Sequence, residues 1–484
     1  MTEIPLNDDW IENHTYADIR VGDSASLQRT LTEDDIQLFA AMSGDVNPAH
    51  VDPEYANQTR FHGVIAHGMW GGALISTVLG TQFPGPGTIY LSQSLRFEQP
   101  LHLGDTLDVR VTVVEKDDAK HRLKLDCRCV DQDGQDVIAG EAWVIAPSEK
   151  VRRPRVAPAH VRLSNPDRRY QALLKLTAGL APLKVAVVHP CSEEALKGAL
   201  DAAALGLIEP VLVGPLDKVR ATAQAASLDL AGLRLHDVPH SHAAAAEAVA
   251  MVQRGEVAAL MKGSLHTDEL MAEVVKPANG LRTDRRISHV FVLDVPSYPK
   301  PLLISDAAIN VTPDLPAKRD IVQNAIDLAR SLGIEQPRVA ILAAVETVNP
   351  HMPSTLDAAA LCKMADRGQI TGGLVDGPLA FDNAINLQAA RDKGIHSPVA
   401  GQADILIAPD LEAGNMMSKQ LQYLADAQAA GIVLGARVPI ILTSRADGSA
   451  ARVASCALAV LMDQFTKQAA ELKSRNAGTP GKAG

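Results

Sequence analysis

The sequence predicts an α+β domain followed by an α/β domain whose parallel sheet is covered by helices on both faces. Before residue 150, apolar side chains alternate at period two, which is typical of antiparallel strands with one buried face. After about residue 170, short apolar runs alternate with Ala-rich helical stretches, which is typical of parallel strands between helices. A chain of 484 residues is also long enough for two or three domains.

The N-terminal half has two helical stretches before its strands. "TEDDIQLFAAMSG" has Thr32 as a candidate N-cap and acidic residues in its first turn, and "HGMWGGALISTVLG" is the second stretch. Two later segments, "TLDVRVTVVEK" and "HRLKLDCRCVD", alternate strictly and predict strands. The side chains expected on their buried faces are Leu107, Val109, Val111, Val113, Leu123, Leu125, Cys127 and Cys129.

A stretch rich in Pro and Arg separates the two patterns. We therefore predict a first domain over residues 1–146, a semi-extended linker over 147–169 and a second domain over 170–474. In the second domain "KVAVVHP" reads as a strand, and Ser192 is the candidate N-cap of the helix that follows. Residues 475–484, "RNAGTPGKAG", are predicted to be a disordered tail.

The composition excludes several classes of protein. The formal net charge is −11 with both signs well mixed, which argues against a nucleic-acid binder. The longer apolar runs, such as "VPIILTS", are too short to cross a membrane. Five scattered cysteines without a C-x-x-C pair fit a reducing compartment, and the acidic, polar N-terminus has no signal-peptide pattern. We expect a cytoplasmic protein.

The stretch "SGDVNPAHVDPEY" places a carboxylate and an imidazole five residues apart, at Asp45 and His50. Helix neighbours lie three or four residues apart, and Pro48 lacks the donor that a helix interior needs. The spacing therefore predicts a loop in which both side chains can face one point. The pair would then share a water and perform acid–base chemistry; alternatively, these residues only stabilise an Asx-type turn.

The second helical stretch opens at "HGM", with Gly68 near its N-terminus. Free backbone N–H groups and the positive end of the helix dipole lie there, ready for an oxygen that gains negative charge. The segment that includes Asp45 and His50 therefore offers an acid–base pair and an oxyanion donor together.

The motif "GDVNPAHVD" with "HGM" downstream resembles the MaoC-type, R-specific enoyl-CoA hydratases, over roughly residues 15–146. That resemblance implies a hot-dog fold, a sheet wrapped around one long helix. It also implies that Asp45 and His50 activate the water added to a trans-2-enoyl-CoA, that the Gly68 amide polarises the thioester carbonyl, and that Asn47 supports the loop. Three further residues of the stretch are interpreted as structural: Asp52, His62 and His67.

In the second half, polar residues gather where predicted strands end. The groups are Lys262 to Ser264, Ser305 and Asp306, Asp376 and Gly377, and Ser444, Arg445 and Asp447. The carboxyl ends of parallel strands meet at one edge, so we expect these groups to converge. Lys and Arg at that edge would suit phosphate, although each group alone is more typical of a strand-capping turn.

The segments "MKGSLHTDELM", "RRISHVFVLDV", "SDAAINVTPD" and "VPIILTSRAD" resemble the phosphate acetyltransferase and phosphate butyryltransferase family, over about residues 170–470. Such enzymes exchange acyl groups between coenzyme A and inorganic phosphate without a metal or a covalent enzyme intermediate. The resemblance implies that Ser444 and Arg445 contact the reacting groups. The candidates for substrate and phosphate binding are Lys262, Arg286, Ser288, His289 and Asn310.

One departure from that pattern concerns the base for the CoA thiol. Acetyltransferases of the usual type carry aspartates several residues after the Ser-Arg pair, where this chain has Ala450 and Ala451. The "SRAD" form is similar to the butyryltransferase branch. By that resemblance the base role falls to Asp447.

Two functional hypotheses follow from the two resemblances. The chain is either a bifunctional acyl-CoA enzyme, or a hydratase whose C-terminal domain is a non-catalytic acyl-CoA sensor and assembly module. In both cases acyl-CoA is the ligand, with phosphate as second substrate in the first case. We expect no permanently bound cofactor, no metal, no nucleic-acid or membrane partner, and a homo-oligomer, dimeric or larger.

Overall fold

Two units of different architecture follow one another along the chain in the computed structural model, residues 1–164 and 165–484. The structure describes residues 10–156, 161, 166–443 and 447–477. Within these ranges no helix is both long and apolar enough to cross a bilayer.

The first unit contains eleven elements in the part that is described. In chain order they are β1 (Trp10–Glu12), β2 (Ser24–Thr30), α1 (Glu33–Ser43), α2 (Pro48–Val51), α3 (Pro53–Gln58), α4 (Gly68–Thr81), β3 (Ile89–Phe97), β4 (Thr106–Asp117), β5 (Arg122–Val130), β6 (Asp136–Ile145) and β7 (Arg152–Pro154). Thr32 caps α1, as predicted, because its hydroxyl accepts the Asp35 N–H and the Asp35 carboxylate accepts the Thr32 N–H.

A five-stranded antiparallel sheet in the order β2-β4-β5-β6-β3 packs against α4. The eight side chains predicted for the buried faces of β4 and β5 are all 0 to 1% exposed and form one core with Ile75, Val78 and Leu79 of α4. Gly71 permits this contact, because a Cβ there would lie 2.4 Å from Cδ1 of Ile138 in β6. The hot-dog prediction is thus confirmed.

The predicted linker is shorter in the structure. β7 pairs antiparallel with β1, and the Asn13 side chain donates to the Glu149 carbonyl and accepts from the Val151 N–H, both at 2.8 Å. These contacts place residues 149–154 in the first unit, because they satisfy backbone groups of that segment. The linker residues 157–160 and 162–165, and residues 478–484 of the predicted tail, lie outside the described ranges.

The second unit begins with a helix inside the predicted linker. Its described elements are α5 (Pro166–Leu176), β8 (Leu183–Val188), α6 (Glu193–Ala204), β9 (Ile208–Gly214), α7 (Leu216–Ala225), β10 (Arg234–Asp237), α8 (Ser241–Gln253), β11 (Ala259–Lys262), α9 (Thr267–Val274), β12 (Ser288–Asp294), β13 (Leu302–Ser305), α10 (Leu315–Ser331), β14 (Arg338–Leu342), α11 (Pro353–Asp366), β15 (Leu374–Leu379), α12 (Phe381–Ile385), α13 (Leu387–Asp392), β16 (Ile405–Ile407), α14 (Leu411–Leu424), β17 (Gln428–Leu434), β18 (Ile440–Ile441) and α15 (Ser449–Ala477).

An eleven-stranded sheet in the order β10-β9-β8-β11-β18-β17-β12-β13-β16-β14-β15 forms the centre of this unit. Alternate side chains of β8 enter separate cores: Val185 and Val187 pack with α6 and α15, whereas Ala186 and Val188 pack with α8 and α9. The predicted α/β sheet with helices on both faces is confirmed.

The strand directions differ from the prediction of a wholly parallel sheet. β17 pairs antiparallel with β18 and β12, and β12 pairs antiparallel with β13, so the sheet is mixed. The parallel block β13-β16-β14-β15 consequently runs opposite to the block β10-β9-β8-β11-β18. The expectation that all the polar strand ends meet at one edge is therefore wrong: Asp376 lies in the far edge strand β15, opposite Ala340.

Candidate functional sites

The segment between α1 and α2 places Asp45 and His50 on two different local structures. Asp45 lies in a turn, where its carboxylate accepts the Asn47 N–H at 3.2 Å. Asn47 caps α2 by accepting the Ala49 N–H at 3.1 Å. His50 lies on that one-turn helix, not in a loop, because Pro48 occupies the first helical position, which needs no donor.

The His50 ring is held in one tautomer. Its Nδ1 lies 2.9 Å from the Ile65 carbonyl, and a carbonyl only accepts, so Nδ1 carries the hydrogen. Nε2 of the neutral ring then holds a lone pair. That is the form that a general base requires.

His67 approaches this pair directly, although it was interpreted as structural. Its ring centroid lies 4.0 Å from that of His50, and its Nε2 lies 2.9 Å from the Asp45 carbonyl. Its side chain is buried, with 3% exposure. Of the two other residues interpreted as structural, Asp52 caps α3 by accepting the Glu54 and Tyr55 N–H groups, and His62 lies in a loop with φ of 55°.

Asp45, His50 and His67 bring their potential ligand atoms within 4.8 Å of one another. Two imidazoles and a carboxylate are a donor set that transition metals accept. The two rings are tilted by 32° to one another, and one nitrogen of each is already engaged by a backbone carbonyl: Nδ1 of His50 by Ile65 and Nε2 of His67 by Asp45. This geometry favours acid–base chemistry over chelation.

A cavity of about 270 Å³ is lined by His50, His67 and the start of α4. Gly68 is the first residue of α4, where the backbone N–H has no partner within the helix. A Cβ on Gly68 would lie 2.9 Å from the Phe97 ring, so a larger residue would displace that wall. The apolar side chains that line the cavity include Ile65, Trp70, Leu101, Leu107, Val137 and Ile138.

The second unit has a cavity of about 260 Å³ beside the end of β18. Thr443 and Asp447 line it, and they flank Ser444 and Arg445, which lie outside the described residues. Lys262, at the end of β11, lines the same cavity and is 4% exposed. Its ammonium donates to the Leu265 carbonyl at 3.2 Å, so a cation is held at this wall.

A larger cavity, of about 690 Å³, adjoins the cavity of about 260 Å³ and shares Thr267 and Ala308 with it. Arg286 and Asn310 line it, and Nε of Arg286 donates to Oδ1 of Asn310 at 2.7 Å. Asn310 donates in turn to the buried Asp306 carboxylate at 2.5 Å, which also accepts the Ala308 N–H at 2.9 Å. The loop after β13 thereby brings Asn310 to Arg286, although β13 runs opposite to β11.

Ser288 and His289 do not reach these cavities. Both are 0% exposed, and the Ser288 hydroxyl accepts from the Asn324 amide at 2.9 Å. Burial lowers the pKa of His289 to about 4, because no water solvates the imidazolium form. The His289 ring is therefore neutral near pH 7. Because both side chains are buried and line neither cavity, the prediction that they contact phosphate is wrong.

Arg452 is a residue that the sequence interpretation missed. It is 2% exposed, and its guanidinium donates to the Thr443 hydroxyl at 2.8 Å, next to the predicted reaction centre. Burial lowers its pKa. Gly198 of α6 makes room for it, since a Cβ there would lie 2.5 Å from Cδ of Arg452. The available signal was an arginine within the apolar run "ARVASCALAV".

Comparison with known proteins supports the family resemblance of the N-terminal half and that of the C-terminal half. A family model described as "MaoC like domain" matches residues 21–128, and one described as "Phosphate acetyl/butaryl transferase" matches residues 240–460. A phosphate acetyltransferase of Rhizobium meliloti is 62% identical over 293 residues, which cover 60% of this chain and 93% of the relative. This chain belongs to the phosphate acetyl/butyryltransferase family. It carries a MaoC-like domain in front of the transferase region.

Two further members of the phosphate acyltransferase group show how far the likeness extends. A phosphate butyryltransferase of Clostridium acetobutylicum is 42% identical over 58% of this chain and 93% of its own length. The crystal structure of a branched-chain phosphotransacylase from Enterococcus faecalis V583 is 28% identical, with a TM-score of 0.51, and covers 58% of this chain and 99% of that chain. These matches support the α/β architecture of the transferase unit.

Proposed function

We propose that the chain is a bifunctional acyl-CoA enzyme. Its first unit hydrates short-chain trans-2-enoyl-CoA to (R)-3-hydroxyacyl-CoA, and its second unit transfers acyl groups reversibly between CoA and inorganic phosphate. The observation that carries the hydratase proposal is the position of His50, whose Nδ1 donates to the Ile65 carbonyl and whose Nε2 is thereby left for acid–base chemistry, beside Asp45 and the N-terminus of α4.

The hydration step needs a water between Asp45 and His50. One of the two groups takes a proton from the water, whose oxygen forms a bond to C3 of the enoyl chain. The electrons of the double bond move to the thioester oxygen, which the Gly68 N–H stabilises. The other group of the pair then delivers a proton to C2. The product has gained one water, and the mostly apolar cavity wall suits the acyl chain.

The transfer step joins two anionic reactants. A phosphate oxygen attacks the thioester carbonyl, a tetrahedral oxyanion forms, and the C–S bond breaks to release CoA thiolate, which takes up a proton. Lys262 and Arg286 in the two adjoining cavities supply positive charge, and Ser444 and Arg445 are proposed to contact the reacting groups. Asp447 is proposed to accept the thiol proton when the reaction runs towards acyl-CoA.

The hydratase proposal is tested with crotonyl-CoA. We expect loss of the conjugated enoyl-thioester absorbance without added phosphate, and a product that a chiral separation identifies as the (R)-3-hydroxy isomer. An unchanged absorbance, or an (S) product, would contradict this assignment. Dialysis against a chelator should leave the rate unchanged, since no step uses a metal.

The transferase proposal is tested with a series of acyl-CoA substrates from C2 to C6, each with and without phosphate. We expect free CoA to appear only when phosphate is present, with formation of one acyl phosphate per CoA. If no acyl-CoA in this range gives phosphate-dependent CoA release, the second unit is better explained as an acyl-CoA sensor.

We also propose that the chain assembles as a dimer or a larger homo-oligomer. β3 is an edge strand of the hot-dog sheet, and Ile89, Leu91 and Phe97 on it are exposed. A long edge strand with exposed apolar side chains favours pairing with another strand. Light scattering of the full chain that gives a monomer mass at micromolar concentration would refute this proposal.

A further inference from the structure

One short segment, Ile65 to Gly68, contacts or supplies every part of the proposed hydratase centre. The Ile65 carbonyl fixes the His50 ring, and the His67 ring contacts both His50 and the Asp45 backbone. Gly68 supplies the first amide of α4. The distance between the acid–base pair and the oxyanion donor therefore depends on how this segment is held.

The His67 hydrogen bond selects one tautomer of the ring. Nε2 lies 2.9 Å from the Asp45 carbonyl, which only accepts, so Nε2 carries a hydrogen, and the corresponding neutral tautomer has its lone pair on Nδ1. Nδ1 is buried and has no hydrogen-bond partner among the described residues. No hydrogen bond from the described part of the chain to that atom therefore competes with the one at Nε2.

Aromatic contacts on the His67 ring restrict its movement. His50 lies at 4.0 Å and Phe39 at 4.9 Å between ring centroids. Both contacts persist if the ring is replaced by another aromatic ring, whereas the hydrogen bond to Asp45 does not. The two contributions of His67 can thus be separated by substitution.

We infer that His67 is a positioning residue for hydration: its Nε2–H ties the Asp45 turn to the start of α4 and so sets Asp45 and His50 against the Gly68 amide. This inference rests on the proposed hydratase function. His67 does not itself touch the reacting atoms, because its Nε2 is occupied by Asp45 and its Nδ1 is buried.

The experiment compares two substitutions of His67 in the full chain. His67→Phe keeps a ring against His50 and removes the donor, and it should lower kcat for crotonyl-CoA by about 10- to 100-fold, the scale of leaving a buried acceptor unpaired. KM should change by less than about twofold, since the cavity wall is kept. In His67→Gln the amide nitrogen replaces Nε2 as donor, so most of the loss should be recovered.

His14→Phe is the matched control, because it also places a phenyl ring at a partly buried histidine of the same unit. The backbone N–H of His14 donates to the Pro84 carbonyl, which lies beyond the C-terminal end of α4. Gly68 is at the other end of this helix, which is about 21 Å long at 1.5 Å per residue. We expect parent kcat for this variant. A His67→Phe enzyme with parent kcat, or a His67→Gln enzyme as slow as His67→Phe while still folded, would overturn the inference.

A second readout does not depend on activity. The ¹⁵N shifts of the His67 ring in the labelled full chain should show hydrogen on Nε2 and a lone pair on Nδ1. The opposite tautomer would overturn the inference even in an active enzyme. If the parent chain does not hydrate crotonyl-CoA, the proposed hydratase function fails, and the tautomer alone then decides whether His67 ties the Asp45 turn.

Discussion

The two proposed sites of this chain differ in how they are assembled. The hydratase centre comes from one stretch of sequence, Asp45 to Gly68, which folds into two short helices and the start of a longer one. The transferase cavities collect residues that are far apart in sequence, from Lys262 at the end of β11 to Asp447 after β18. The first site can be recognised as a motif, whereas the second depends on the order and direction of the strands.

The two sites also differ in how their polar groups are exposed. Asp45 is exposed and His50 is partly buried, so water reaches the pair. Lys262, Asp306 and Asn310 are each at most 4% exposed and satisfy one another or nearby carbonyls. Substitution of the exposed Asp45 therefore leaves no buried side chain unpaired, whereas substitutions in the transferase network leave buried partners unsatisfied.

The largest effect is expected from removal of the acid–base pair, which tests whether the two sites act independently. Asp45→Asn and His50→Ala should each lower kcat for crotonyl-CoA hydration by about 10²–10⁴, the usual scale for a positioned acid or base. Phosphate-dependent CoA release should be unchanged in both. Parent-level hydration by either folded variant, measured as loss of enoyl absorbance, would refute the assigned roles.

The reciprocal test concerns Arg445. Arg445→Lys keeps the positive charge but loses the planar fork, so we expect a loss of phosphate-dependent transfer of about 10²–10³, nearly that of Arg445→Ala. Crotonyl-CoA hydration by the same preparations is the internal control and should stay normal. An Arg445→Ala enzyme with parent CoA release would exclude this role.

A smaller effect, with a pH signature, is expected at Asp447. Asp447→Asn should slow the formation of acyl-CoA from acyl phosphate and free CoA by about tenfold near neutral pH, the lower part of the range for a lost base. The deficit should shrink at high pH, where CoA thiolate forms without help. Initial rates from pH 6 to 9 test this prediction, and a deficit that is equal at all pH values would argue against Asp447 as the base.

The smallest expected effect concerns the buried His289 and the dependence of the stability of the second unit on pH. Burial lowers the pKa of His289 to about 4, below the ordinary value of 6.5, so the unfolded chain binds one more proton between these values. Stability is therefore lost as pH falls from about 6.5 to 4. His289→Leu should reduce this slope by at most about 1.4 kcal/mol per pH unit. Urea unfolding of the transferase unit at several pH values tests this, and an unchanged slope would contradict it.

Local patterns in the sequence determined the folds of both units. The alternation in β4 and β5 specified a buried face that the structure confirms, and Thr32 and Ser192 cap α1 and α6 as predicted. The Asp45–His50 pair was also predicted, because its residues lie close in sequence. These features depend on neighbours a few positions apart, where side-chain polarity and backbone preferences act directly.

Only the tertiary structure decided the strand directions and the partners of individual side chains. The antiparallel strands β12 and β17 carry the same continuous apolar pattern as parallel strands buried on both faces, so no sequence window distinguishes them. His289 was predicted to bind phosphate but is buried on β12, and His67 was interpreted as structural but contacts His50. Such contacts depend on residues that are distant in the chain, and the free energy of burial is set only when the elements pack.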